Sequence, residues 1–308
     1  VHKFFLIFLM VTLIAGCSTS PAIPAAGYVD LNQLLPLPTP VEHDIRPLRV
    51  AIAAVISPKG TVESYTPVLN YLSAKLDRPV ERVQQRTYAE VNELLRSGKV
   101  DMAFVCTSSF ILGKREFDLK LLAAPQVKGK IVYHAQLIVP AKSQSMELSD
   151  LRGKIFAFTD PASFTGRIYP TYLLLNLGEK PETFFARTFF TYSHDDAIRA
   201  VANGIADGAS VDSLVLEFAL KRSPELVQQI RIIHTSPPFG MPPVVINPDL
   251  RPQTRAELET ILLNMHLDPE GRAALQALDY DKFVPVSPEN YQSAEQVESQ
   301  VASGKISP

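Results

Sequence analysis

The chain alternates nearly unbroken apolar runs with stretches whose apolar residues recur every three or four positions. The run LRVAIAAVIS (48–57) is β-rich and apolar on both sides of any pleat, the pattern of a strand buried on both faces. Helical spacing follows over 65–76, a short apolar strand around 80–83, an amphipathic helix over 87–100 with Gly98 near its end, and a second buried strand over 101–108. Strand, helix, strand, helix, strand predicts a parallel α/β sheet.

The same rhythm returns later. Strands are predicted at 155–158, 189–192 and 208–211, and helices at 166–177, 195–203 and 213–221. Between the two copies lies KIVYHAQLIVPAK (130–142), a long β-rich run that can cross from one lobe to the other. The strand and Pro-rich stretch at 231–250 can cross back, and helices near 253–266 and 269–278 then rejoin the first lobe. The expectation is an α/β clamshell of two lobes with two crossing strands: lobe I from 47–135 and 236–295, lobe II from 136–235. In open α/β sheets a ligand sits at the carboxyl ends of the strands, here in the cleft between the lobes.

The N-terminus changes the picture of where this body works. VHKFFLIFLMVTLIAGCSTS holds a Lys, an apolar run over 4–14 that is too short for the roughly 20 residues of a membrane span, and small residues before Cys17. This is an export signal. Ile14-Ala15-Gly16-Cys17 resembles the bacterial lipobox, which implies a signal peptide over 1–16, cleavage before Cys17 and lipidation of its thiol. Residues 17–46 are rich in Ser, Ala and Pro without periodicity and suit an extended tether between a membrane anchor and the folded body. With Cys17 carrying lipid, Cys106 is alone and no intramolecular disulfide is expected; in MAFVCTSSF it reads as a small buried hydrophobe.

Composition excludes some classes. The 308 residues are 46% hydrophobic and 20% charged, with 30 Lys+Arg against 32 Asp+Glu and a net charge of −2, and no basic block of five or more appears. That is a globular composition without the electrostatic footprint of a nucleic-acid binder. The six His are scattered, and neither HExxH nor CxxC occurs, so neither metal nor cofactor is expected.

The candidate chemistry lies where strands hand over to helices. In DPASFTGRIYP (160–170), Ser163 stands at an N-cap, Thr165 and Gly166 fall in the first turn, and the amides of 164–166 point outward. Such a turn is a plain helix cap or an anion cradle. Two hydroxyls where a cap needs one, and a Gly permitting close approach, favour the cradle. TYSHDDAIRAVANGIADGASVDS (191–213) repeats the arrangement, with His194 able to donate a ring N–H and Ser193 or Asp195 capping. Arg167 follows the first turn with its direction left open.

The ordered combination of lipobox, KVDMAFV, LRGKIFAFTDPASFTGRIYP, SHDDAIRAVANGIADGA and TSPPFGMPPVVI resembles the phosphate/phosphite/phosphonate-binding proteins of bacterial ABC transporters over roughly residues 47 to 290. The resemblance implies the type II periplasmic-binding-protein fold. It implies an anion site of Ser163, Phe164 by its backbone, Thr165 with Gly166, and His194. From the first lobe it implies Tyr88 and the 107–110 region with Ser108 and Phe110, the last lacking the hydroxyl common in relatives. Asp212 is expected at the cleft, while Leu214 falls nearer the position where aminophosphonate binders carry a carboxylate. The implied function is a lipid-anchored, monomeric receptor that delivers a small phosphorus oxyanion to ABC permease subunits, in the periplasm or cell envelope. The alternatives are a ligand-sensing lipoprotein of the same fold and a clamshell enzyme. The enzyme has little support, since there is no GxSxG elbow and no acid–base pair beyond His194 with Asp195 or Asp196.

Overall fold

The structure, a computed structural model, describes residues 46–304. The signal segment, Cys17 and the tether up to residue 45 lie outside the described residues. No helix among the described residues is long and apolar enough to cross a membrane.

In chain order, β1 (Leu48–Ile52) leads through α1 (Pro58–Leu76), β2 (Val80–Gln84), α2 (Tyr88–Arg96), β3 (Met102–Phe104) and α3 (Thr107–Phe117) to β4 (Lys120–Gln126). The chain then crosses through β5 (Val132–Tyr133) into β6 (Ala135–Pro140) and β7 (Ile155–Phe158). After α4 (Tyr169–Asn176) come β8 (Arg187–Phe190), α5 (His194–Ala202), β9 (Gly208–Asp212), α6 (Ser213–Arg222) and β10 (Ile230–Thr235). It returns through β11 (Phe239–Gly240) to β12 (Val244–Ile246), α7 (Pro252–Asn264), α8 (Pro269–Gln276), β13 (Lys282–Val284) and α9 (Gln292–Ser303).

Two mixed sheets result. One has six strands in the order β13-β4-β12-β3-β1-β2 and the other five in the order β10-β6-β9-β7-β8, while β5 and β11 pair antiparallel between them. The parallel core of each sheet is the part the continuous apolar runs predict: β1 lies between β2 and β3, and β7 between β8 and β9. Each sheet is then extended by an antiparallel strand that arrives from the other side of the crossing, β12 beside β3 and β6 beside β9. This is the two-lobed α/β type II periplasmic-binding fold.

Several elements differ from the sequence expectation for local reasons. The strand expected over 101–108 ends at Phe104, because Cys106 becomes the N-cap residue of α3, a helix the apolar segment concealed. The expected helix over 166–177 opens instead with a π-helical turn, Phe164–Ile168, in which Ile168 N–H reaches the Ser163 carbonyl at 2.9 Å. β4 was hidden by Pro125, which a strand accommodates only where no ladder donor is required. α9 is mostly polar and buries chiefly small residues such as Ala294 against α3 and α4.

A single apolar cluster runs through the crossing. Tyr88, Cys106 and Phe110 of the first sheet's side pack with Phe164 and Tyr169 of the second and with Phe239 and Met241 of the returning segment. Phe164 meets Phe239 edge-on at 4.6 Å between ring centroids. Gly240 completes this junction by close approach: its carbonyl accepts the Thr107 hydroxyl at 2.9 Å, and a Cβ there would stand 2.4 Å from the Asn290 carbonyl oxygen. Gly240→Ala should therefore cost about 1–3 kcal/mol, measured by urea denaturation. An unchanged midpoint would show that β11 does not lie against the 287–291 turn.

Candidate functional site

The carboxyl ends of β7 and β9 and the amino ends of the helices after β7, β8 and β9 meet at the cleft. The 159–168 segment is shaped by its own polar side chains. Asp160 accepts Ala162 N–H on Oδ1 at 2.8 Å, its carbonyl takes Ser163 N–H at 2.9 Å, and Ser163 Oγ accepts Gly166 N–H at 3.1 Å. Ser163 is thus a true N-cap. Gly166 is required by packing rather than by access to a ligand, since a Cβ there would fall 1.8 Å from Thr159 Oγ1. Thr165 gives its carbonyl to the Ser210 hydroxyl at 2.5 Å, and its own hydroxyl is buried with no partner.

His194 opens α5, directly after Ser193, which caps the helix by accepting Asp196 N–H. Its ring is 1% exposed, and Nδ1 lies 3.0 Å from the backbone nitrogen of Asp212. A backbone amide can only donate, so Nδ1 is an acceptor and the ring proton sits on Nε2. Burial lowers the pKa to about 3, against a smaller opposing effect of Asp195, so the ring is neutral at physiological pH. Nε2–H points toward Ser163 Oγ at 3.4 Å. With that oxygen accepting from Gly166 N–H and His194 Nε2–H, the Ser163 hydroxyl proton is directed elsewhere, and the buried Tyr88 hydroxyl lies beside it.

From the other lobe comes Tyr88. Its backbone N–H donates to Asp160 Oδ2 at 3.1 Å, so the turn that presents Ser163 also holds the start of α2. The capping box of Thr87 and Glu90 fixes that helix start. The Tyr88 hydroxyl is buried beside the Ser163 side chain without a well-formed hydrogen bond, and burial raises its pKa well above 10, so it stays protonated. Tyr133, in crossing strand β5, was not singled out in the sequence. Its hydroxyl is equally buried without a well-formed hydrogen bond, beside the Thr107 side chain, and its electrostatic neighbours include Cys106, Asp212 and Tyr88. The signal was weak, a lone Tyr in a β-rich run.

The remaining expected residues take other places. Phe164 N–H points at Cys106 Sγ at 3.5 Å, so the amide expected to face a ligand is directed at a thiol, whose pKa burial pushes to about 12. Phe110 packs on Tyr291 at 4.8 Å between rings and serves the core. Ser108 is buried in the first turn of α3 beside the Glu298 carboxyl, and its hydroxyl, like those of Thr165, Tyr88 and Tyr133, makes no well-formed hydrogen bond. Asp212 is 3% exposed and caps α6, Oδ1 accepting from Leu214 N at 2.7 Å and Val215 N at 3.4 Å. Burial raises its pKa to about 7, against those two bonds. Arg167 turns away from the cleft, its guanidinium over the Phe158 ring at 4.4 Å and bonded to Thr171 and Glu182. Among the described residues no cluster of His, Cys, Asp and Glu could hold a metal ion.

The candidate site is therefore a set of neutral donors: Ser163, Thr165, Tyr88, Tyr133 and His194 Nε2–H. They sit beside the positive ends of two helices, with no arginine or lysine bonded to any of them among the described residues. Such a set can surround a small oxyanion and exclude water from it.

Two α/β lobes joined by paired crossing strands, with donors converging from both, define a solute-binding receptor of the periplasmic type II class. The family model for the ABC transporter, phosphonate, periplasmic substrate-binding protein matches residues 50–291, and the chain belongs to that family. It is accordingly a periplasmic substrate-binding component and not an enzyme. The chain is 26% identical over 251 residues to the phosphonates-binding periplasmic protein of Escherichia coli K12, covering 80% of this chain and 74% of that one. It is 22% identical over 239 residues to a probable phosphite-binding protein of an ABC transporter from Prochlorococcus marinus MIT 9301, covering 76% of each. In fold it resembles the binding-protein component of an ABC phosphonate transporter from Pseudomonas aeruginosa, with a TM-score of 0.80 at 22% identity over 85% of this chain and 88% of that one. It also resembles the Prochlorococcus marinus protein solved with methylphosphonate, with a TM-score of 0.76 at 19% identity over 84% and 99% of the two chains.

The histidine assignment can be read directly. Because the folded pKa lies below the ordinary 6.5, the His194 contribution to stability is complete above about pH 6.5 and is lost as pH falls toward 3. By nitrogen-detected NMR, His194 should show the Nε2–H tautomer and no titration between about pH 5 and 8. A midpoint near 6.5 would mean that Nδ1 is not held by Asp212.

Proposed function

We propose that this chain captures a small phosphorus oxyanion, a phosphonate, phosphite or phosphate, between its lobes and presents it to the permease subunits of an ABC importer. The observation that carries this reading is the Thr165, Tyr88 and Tyr133 hydroxyls, buried without well-formed hydrogen bonds, with Tyr88 beside Ser163 of the Ser163–His194 pair and Tyr133 near Tyr88. A buried polar group without a partner costs about 1–3 kcal/mol. An oxyanion recovers that cost at several groups at once through charge-assisted bonds. The names of the relatives support the same ligand class.

The cradle joins residues from 47–135 with residues from 136–235, so the anion belongs to the closed form of the two lobes. Neutral donors hold it without an ion pair that release would have to break. The cleft is complete within one chain, which supports action as a monomer. Ile14-Ala15-Gly16-Cys17 supports anchorage of the body to a bacterial membrane through lipid on Cys17.

Thr165→Val is the decisive variant. It removes a hydroxyl that has no partner in the protein while keeping its shape, so thermal stability should hold or rise while affinity for the phosphorus anion falls about tenfold or more. Calorimetry with phosphate, phosphite, methylphosphonate and sulfate checks this. Unaltered affinity, or no binding of any phosphorus anion by the unmutated protein, would contradict the reading.

A further inference from the structure

The four residues from Tyr192 to Asp195 carry the cradle's histidine and also reach the other lobe at three points. The Tyr192 ring lies under the Arg86 guanidinium at 4.4 Å, His194 N–H donates to the Val55 carbonyl at 2.9 Å, and Asp195 Oδ1 accepts Ser57 N–H at 2.7 Å. These partners lie in two separate places, the loop between β1 and α1 and the turn that precedes α2. Tyr192 reaches Arg86 from the left-handed region, with φ at 60°, a conformation disfavoured for a residue with a Cβ. Its N–H bond to the Thr159 carbonyl at 2.7 Å holds it there.

Asp195 supplies what the start of α1 lacks. The first turn of that helix holds Lys59 and no acidic residue, and its N-cap Ser57 makes no side-chain cap bond. A helix amino end carries partial positive charge and is stabilised by an anion placed against it. The Asp195 carboxylate provides that charge from the other lobe, its side chain only 16% exposed and its Oδ2 held by Arg199 at 2.8 Å. Burial pushes the Asp195 carboxyl up, but Ser57 and the Arg199 guanidinium outweigh it, so the group ends below the ordinary Asp value and stays ionised.

These contacts exist only while the lobes are together. A carboxylate is no donor for an oxyanion, and both Asp195 oxygens are committed, one to Ser57 and one to Arg199. Its bond to Ser57 therefore favours the closed form by the same amount whichever anion lies inside. Opening must break the bond, whereas an anion entering the open cleft meets the cradle before it forms. Its weight falls on release and not on entry.

We propose that Asp195, through Ser57, and Tyr192, through Arg86, are positioning residues that set how long a captured anion is held and not which anion is chosen. The proposal rests on the phosphorus-anion reading of the cradle. It goes beyond that reading by assigning release to residues outside the donor set. Ser57 allows the same bond to be removed from the opposite lobe, because its φ of −54° with ψ of 157° is a conformation that Pro adopts while lacking the N–H.

The test measures phosphate, phosphite and methylphosphonate on the purified protein, affinities by calorimetry and release rates by phosphorus NMR exchange between free and bound ligand. Asp195→Ala should speed release of every anion that binds by at least about tenfold. The association rate and the order of affinities among the anions should not change. Asp195→Asn, which keeps an acceptor without the charge, should fall between that variant and the unmutated protein. Arg86→Ala, at an exposed position, should speed release about two- to fivefold. Ser57→Pro should also speed release, and combining it with Asp195→Ala should not multiply the two effects. If Asp195→Ala folds poorly, Ser57→Pro alone decides. Unchanged release, a loss confined to one anion, or effects that multiply would overturn the proposal while the cradle stands. If none of the phosphorus compounds binds the unmutated protein, both are overturned.

Discussion

The hydrogen bond from the Asp212 amide to His194 Nδ1 organises the site. It joins the end of β9 to the start of α5, and it settles which ring nitrogen carries the proton. With Nδ1 committed, Nε2–H is aimed at Ser163, whose oxygen caps the turn after β7. Three strand ends of one sheet are thereby locked into a single donor array. Burial then keeps the imidazole neutral, so the array carries no charge that binding would have to displace.

The second constraint is that the array is incomplete in either lobe alone. Tyr88 N–H to Asp160, His194 N–H to Val55, Ser57 N–H to Asp195 and Phe164 N–H to Cys106 all pass from one sheet's side to the other. These buried contacts describe a closed clamshell. At its rim, Lys128 with Glu217, Lys221 with Asp279, and Arg222 with Glu63 at 3.6 Å span the gap. All three pairs are solvent-exposed and so add little to stability. Closure rests instead on the buried bonds and on Phe164 packing against Phe239. That balance suits a receptor that must reopen.

Much of this was legible in the residues. Unbroken apolar runs mark strands buried on both faces, and β1, β7 and β9 follow from them directly. Ser163 as a cap and His194 at a helix start follow from local chemistry, because caps are short-range. What stayed hidden is long-range or atypical. Cys106 reads as a core residue, and only the fold places its sulfur against Phe164 N–H. Asp160 reads as part of a turn, and its bond to Tyr88 depends on the approach of two lobes. Tyr133 lies in a crossing strand whose side-chain direction no periodicity fixes. α9 escapes detection because it buries mainly small residues and its polar positions show no clear stripe.

The central claim is that an oxyanion sits among neutral donors contributed by both lobes. A crystal structure of the protein with a bound phosphonate tests it most directly. The account predicts phosphonate oxygens within hydrogen-bonding distance of Ser163 Oγ, Thr165 Oγ1, His194 Nε2 and the Tyr88 hydroxyl. A phosphonate bound elsewhere, or held by an arginine or lysine while those hydroxyls remain unpartnered, would contradict it.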